Sequence, residues 1–133
     1  MSSLPLGAAQ QAQTPDRTIW SGVYTQAQAA RGKPRFENSC IRCHNIALTG
    51  SERGPALKGN GFWSQWENDS LGSMYIKIRD TMPQDGGAAV VSDEVKVDIL
   101  AYILQQSGAP AGNEELKLDT AQLEGIRIAK RGI

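Results

Sequence analysis

Apolar residues recur at helical spacing in separate stretches of this chain, and no strand is convincing before the tail. The first helical stretch follows Thr25, a suitable N-cap, and runs through Gln26-Ala27-Gln28-Ala29-Ala30 towards Cys40. Gly32 and Phe36 lie four apart and share one face of it. Pro34 falls inside, where a proline loses a hydrogen bond and clashes with the preceding turn. The pattern therefore predicts a kink near residues 31–33, or a helix that restarts at Pro34. Residues 45–61 are rich in Gly, Asn and Pro and read as a loop, followed by a short helix over Phe62–Trp66. Behind Ser70, Leu71, Met74, Tyr75 and Ile78 recur at helical spacing until Thr81-Met82-Pro83 breaks the run. Residues 84–91, with paired glycines, make another loop. The clearest helix comes next. Ser92 caps it, Asp93 and Glu94 suit the positive end of its dipole, and Gly108 with Pro110 ends it. Val95, Ile99, Tyr102 and Ile103 form its apolar stripe, widened by Leu100 and Leu104. The expected fold is all-α, built from several short helices.

At 133 residues the chain makes one domain with a modest core. Residues 1–18, polar and rich in Gln, Ala and Pro, read as a flexible leader; 19–108 form the domain; 109–133 form an extension. Leu116, Leu118, Leu123, Ile126 and Ile128 let that extension pack back on the domain, with a short helix from near Thr120 to Gly125. No apolar run is long enough to span a bilayer. Residues 1–13 lack the basic and continuous apolar regions of a complete signal peptide, and Leu4–Ala9 reads as the remnant of a signal's end or a cloning scar.

Formal charges balance at 14 basic against 14 acidic, but unevenly along the chain. Residues 31–80 carry eight basic and five acidic side chains, and 81–133 carry five and eight. Such a charge dipole would orient a partner, although ordinary solvated surface gives the same counts. Nothing resembles a basic nucleic-acid stripe.

The chemistry is concentrated in Cys40-Ile41-Arg42-Cys43-His44, a C-x-x-C-H sequence and the attachment signature of c-type haem. Thiols three apart on a helical turn reach neighbouring vinyl groups, and the adjoining imidazole can ligate the iron. A thioredoxin-like dithiol, a zinc half-site and a structural disulfide are the competing readings. A thioredoxin-like pair needs a βαβ setting that is not legible here. Zinc wants four ligands, and the chain holds two cysteines and one histidine. A buried porphyrin would also thicken a core drawn from 40% hydrophobic and 6% aromatic residues. With no second histidine, a donor opposite His44 must come from Met1, Met74 or Met82. Met1 sits in the leader and Met74 reads as a core side chain beside Leu71 and Ile78. Met82 lies between helices, ahead of a proline that stiffens its backbone, and is favoured over Met74.

Residues 25–107 resemble a class I monohaem cytochrome c of the small bacterial kind. The resemblance is carried by Gly32 and Phe36, Cys40–His44, Gly54-Pro55-Ala56-Leu57, Thr81-Met82-Pro83, Ser92-Asp93-Glu94 and Tyr102. It implies a fold wrapped around one covalent haem c, with the first and last helices crossing where Gly32 and Phe36 meet the Tyr102 face. It also implies Met82 as the second iron ligand beside His44, and a Pro55 carbonyl accepting from the His44 ring. Trp63, Trp66, Tyr75 and Arg79 are then candidates for the haem wall and the propionates. The tail is similar to those of cytochromes associated with quinoprotein dehydrogenases. The function so implied is one-electron transfer between redox partners, a quinoprotein dehydrogenase or a terminal oxidase among them. The expected carrier is a monomeric, exported, periplasmic protein and no enzyme. The rival is a peroxidase-like haem enzyme or sensor whose methionine is displaced, but the only histidine is already used as the proximal ligand.

Overall fold

Four side-chain oxygens start the longer helices and the tail helix in the computed structural model, which describes residues 17–83 and 91–130. Thr25 accepts from the Gln28 amide, Ser70 from Ser73, Ser92 from Val95 and Asp119 from Gln122. Each satisfies an amide that the first helical turn leaves without a partner. They open α1 (Gln26–Ser39), α4 (Leu71–Thr81), α5 (Asp93–Gln106) and α6 (Thr120–Glu124). Between α1 and α4 lie the single turn α2 (Ile41–His44) and the short α3 (Gly59–Trp66). The fold is all-α, as the hydrophobic pattern predicts. The expected loops over 84–90, the leader through residue 16 and residues 131–133 lie outside the described residues.

Helix α1 runs through Pro34 without restarting, contrary to one of the two expectations for it. The ring of Pro34 is exposed, while Gln28, Ala29, Gly32 and Phe36 are buried on both sides of it. Packing of that continuous face against α5 outweighs one missing hydrogen bond. At the crossing, a Cβ on Gly32 would lie 2.0 Å from the Asp98 carbonyl oxygen, so only glycine lets the two backbones approach this closely. The Phe36 and Tyr102 rings then meet with centroids 5.5 Å apart. The crossing implied by the resemblance is thus present, on the residues that carried it.

Two boundaries differ from the sequence reading. The loop after the C-x-x-C-H turn ends at Lys58, since α3 already begins at Gly59. Arg17 and Thr18, grouped above with the leader, form a two-residue strand β1. It pairs in parallel with β2 (Ile126–Arg127), Arg17 opposite Ile126. A ladder this short has no alternation for a sequence pattern to reveal.

The chain after α5 is laid into the core. Leu116, Leu123, Ile126 and Ile128 are buried, whereas Leu118 is exposed. The buried Gln28 amide clamps Leu116, donating to its carbonyl at 3.0 Å and accepting from its N–H at 2.8 Å. Tyr24 donates its hydroxyl to the Ala109 carbonyl, and Trp20 donates its indole N–H to Ala129 at 2.6 Å. Asn68 and Asp69 exchange backbone bonds with Ile128 at 2.7 and 2.8 Å. Among the described residues, no helix is long and apolar enough to cross a membrane.

Candidate functional site

Cys40 sits at the joint between two helical segments. Its N–H closes α1 on the Phe36 carbonyl at 2.8 Å, and its own carbonyl accepts from His44 at 3.0 Å. One turn therefore carries both thiols and the imidazole, with neither cysteine in a disulfide. Asn45 ends the turn at φ 54° and ψ 167°, a region that residues other than glycine rarely adopt. Its side chain accepts from Ala47 and donates to the Gly50 carbonyl, folding the following loop back on the turn.

That loop brings Gly54 and Pro55 against His44. The imidazole is 7% exposed, and its Nδ1 lies 2.7 Å from the Pro55 carbonyl oxygen. A carbonyl only accepts, so Nδ1 carries the proton and Nε2 keeps its lone pair as a metal donor. The bond also fixes the ring plane and strengthens Nε2 as a metal donor. A Cβ on Gly54 would come within 2.9 Å of His44 Cε1, so the close approach of this loop needs a glycine.

A cavity of about 190 Å³ opens beside this turn. Of the residues singled out in the sequence, Cys40, Cys43, His44, Pro55, Trp66 and Met82 line it. Met74 lines it too, buried in the face of α4, so two methionine thioethers reach the same space. Leu57, Ile78, Ile99 and Ile103 supply apolar wall. Arg42, Arg53, Lys77 and Gln65 supply polar groups at its edge. These four were missed in the sequence. Lys77 is the one a helical wheel would have found, three residues after Met74 and next to Ile78.

Trp63, Tyr75 and Arg79 are not among the residues that line this cavity. Each helical residue turns the side chain about 100°. Tyr75 and Arg79 therefore stand one step past Met74 and Ile78, on the neighbouring face. There the Arg79 guanidinium lies 5.9 Å from the Tyr75 ring centroid and pairs with Asp80 at 2.8 Å. Arg79 holds the Asp80 carboxyl below the usual carboxylate range, while burial raises the Tyr75 phenol. Trp63 is stacked on Trp20 at 6.1 Å and edge-on to Phe62 at 5.0 Å.

The family model described as cytochrome c oxidase, cbb3-type, subunit III matches residues 27–103, from α1 through most of α5. The chain belongs to this cytochrome c family. It is a class I cytochrome c, and that domain implies covalently bound haem c and electron transfer. One solved structure similar to it is the sulfane dehydrogenase SoxCD from Paracoccus pantotrophus, with 17% identity and a TM-score of 0.52. The match covers 96% of this chain and 66% of that one, just under two thirds of its length, and at this identity it shows the fold alone. None of the curated proteins compared with the chain matches it. The residues of this cytochrome fit haem c: two thiols and a tautomerically fixed imidazole share one cavity with a thioether and apolar walls.

Proposed function

We propose that this domain is a one-electron carrier holding a single haem c through Cys40 and Cys43, with His44 and Met82 as iron ligands. The observation that supports it best is the 2.7 Å contact from His44 Nδ1 to the Pro55 carbonyl, which leaves Nε2 as the donor in a cavity that Met82 also lines. When bound, haem supplies the ferrous/ferric couple. Methionine ligation raises its potential relative to bis-histidine ligation. Of the two thioethers, Met74 lies inside α4 among core contacts, while Met82 caps that helix in extended conformation. The extended backbone lets the Met82 side chain turn into the cavity without breaking a helical hydrogen bond. Leu57, Ile99 and Ile103 exclude water. Arg53 and Lys77 carry the charge that suits propionates, with Trp66 offering an indole N–H.

In this reading the protein is a monomeric periplasmic carrier that docks transiently with redox proteins, the weak, small-interface kind of encounter. The tail's similarity to those of cytochromes associated with quinoprotein dehydrogenases favours a dehydrogenase partner, with a terminal oxidase as the other candidate.

The test is made on the purified holoprotein. Haem should remain on the polypeptide in denaturing electrophoresis, at one haem per chain by pyridine haemochrome. Reduced protein at neutral pH should bind carbon monoxide poorly, and Met82→Ala should bind it readily while Met74→Ala does not. Ready binding by the unmodified protein would instead support the enzyme or sensor reading.

A further inference from the structure

Lys96 is 1% exposed in the first turn of α5, and among the described residues no other lysine or arginine is buried. Its Nζ donates to the Arg79 carbonyl oxygen at 2.8 Å. That carbonyl belongs to the last turn of α4, where acceptors have run out of helical donors. The neighbouring carbonyls are served from within the helix end: Thr81 Oγ1 donates to Lys77, and the Met82 N–H donates to Ile78 at 3.0 Å. Lys96 is the donor that comes from another helix. The opposite end of α4 is also held, by the Ser70 cap and by the bridge between Ser70 and Arg127.

An ammonium is expensive to bury, and an aliphatic side chain would fill the same space. What the ammonium adds is a charge-assisted donor at a helix end whose dipole favours a cation. Met82 stands three residues beyond Arg79, at the C-cap of the same helix. We propose that Lys96 is a positioning residue for Met82. By fixing the end of α4, it presents the thioether to the cavity and resists its displacement by other ligands. The proposal rests on the reading of Met82 as iron ligand.

The test uses the holoprotein with Lys96→Met, which keeps length and loses the donor, and Lys96→Arg, which keeps a cationic donor. Tyr24→Phe, which deletes the buried hydrogen bond to the Ala109 carbonyl and leaves Lys96 and Arg79 unchanged, controls for general loss of stability. Two quantities are read: the far-red charge-transfer absorption of thioether-bound ferric haem, and the rate at which imidazole displaces the native ligand. Lys96→Met should weaken the absorption and accelerate displacement about tenfold, the factor expected for losing one charge-assisted hydrogen bond. Lys96→Arg should restore most of both, and Tyr24→Phe should change only the melting temperature. A Lys96→Met protein with native helicity, native absorption and native displacement rate would overturn the proposal and leave Met82 ligation standing. Should that variant fail to retain haem, Lys96→Gln decides by the same readings. An unmodified protein without the absorption, or Met82→Ala that retains it, would overturn the ligation reading and this inference together.

Discussion

A methyl group at position 54 would meet the His44 ring edge at 2.9 Å, closer than carbon atoms pack. Gly54→Ala should therefore tilt the imidazole, weaken its bond to Pro55 and cost about 1–3 kcal/mol through overpacking. With His44 as the proposed iron ligand, a weaker Nδ1–H bond makes the imidazole a poorer donor to ferric iron, so the potential should rise. Thermal unfolding with a redox titration checks both, and an unchanged potential would separate Gly54 from ring orientation. At this scale the C-x-x-C-H turn was legible because its chemistry is contiguous. For Trp63, Tyr75 and Arg79 the chemical character is legible in the sequence, but not the helix face that sets them beside the cavity lining. A register one residue off moves a side chain about 100° around the axis. The Pro55 contact depends on a loop whose return is set by Asn45, and no periodicity encodes that.

The helices themselves were legible from their ends. Ser70 and Ser92 stand where hydrophobic periodicity begins, and each accepts from the amide three residues on. Pro34 does not restart α1, because the buried face packed on α5 overrides its local propensity. The crossing of α1 and α5 offers a test in which propensity and packing have opposite signs. In an isolated helix, alanine is better than glycine by about 1 kcal/mol. At position 32 the added Cβ would stand 2.0 Å from the backbone oxygen of Asp98, which no rotamer can relieve. Gly32→Ala should destabilise the holoprotein by about 3 kcal/mol or more, read as a fall in denaturant midpoint. A neutral or stabilised variant would mean that the helices do not cross at this distance.

Across the whole molecule, charge ties distant segments together. Arg31 of α1 reaches Asp98 of α5 at 3.2 Å and Glu115 of the tail at 2.6 Å. The Arg31 hydrogen bond holds the Glu115 carboxyl below its ordinary range. A carboxylate whose folded pKa is depressed stabilises above its unfolded value and loses that contribution as pH falls through the folded value. Tail docking should thus weaken on acidification below the ordinary carboxylate range. Glu115 is 42% exposed, so the contribution is below about 1 kcal/mol and screened by salt. Trp20 fluorescence followed from neutral to acid pH should report the loosening, with a smaller response in Arg31→Met; equal responses would place its origin elsewhere. The sequence showed an apolar tail, but not the Gln28 clamp that receives it. A buried glutamine has no signature in hydrophobic periodicity.

The bond from the Trp20 indole to the Ala129 carbonyl spans 109 positions of chain. Beside it, β1 and β2 contribute a ladder of only two residues each. Closing so long a loop costs chain entropy before so few contacts repay it. The two ends of the fold therefore meet late, after α1 and α5 have found each other, and they part first when the molecule breathes. In native-state hydrogen exchange, the Trp20 indole and the Ile128 amide should exchange through openings smaller than global unfolding. The central α5 amides should wait for the whole fold to open; equal protection throughout would show that the fold opens only as one unit.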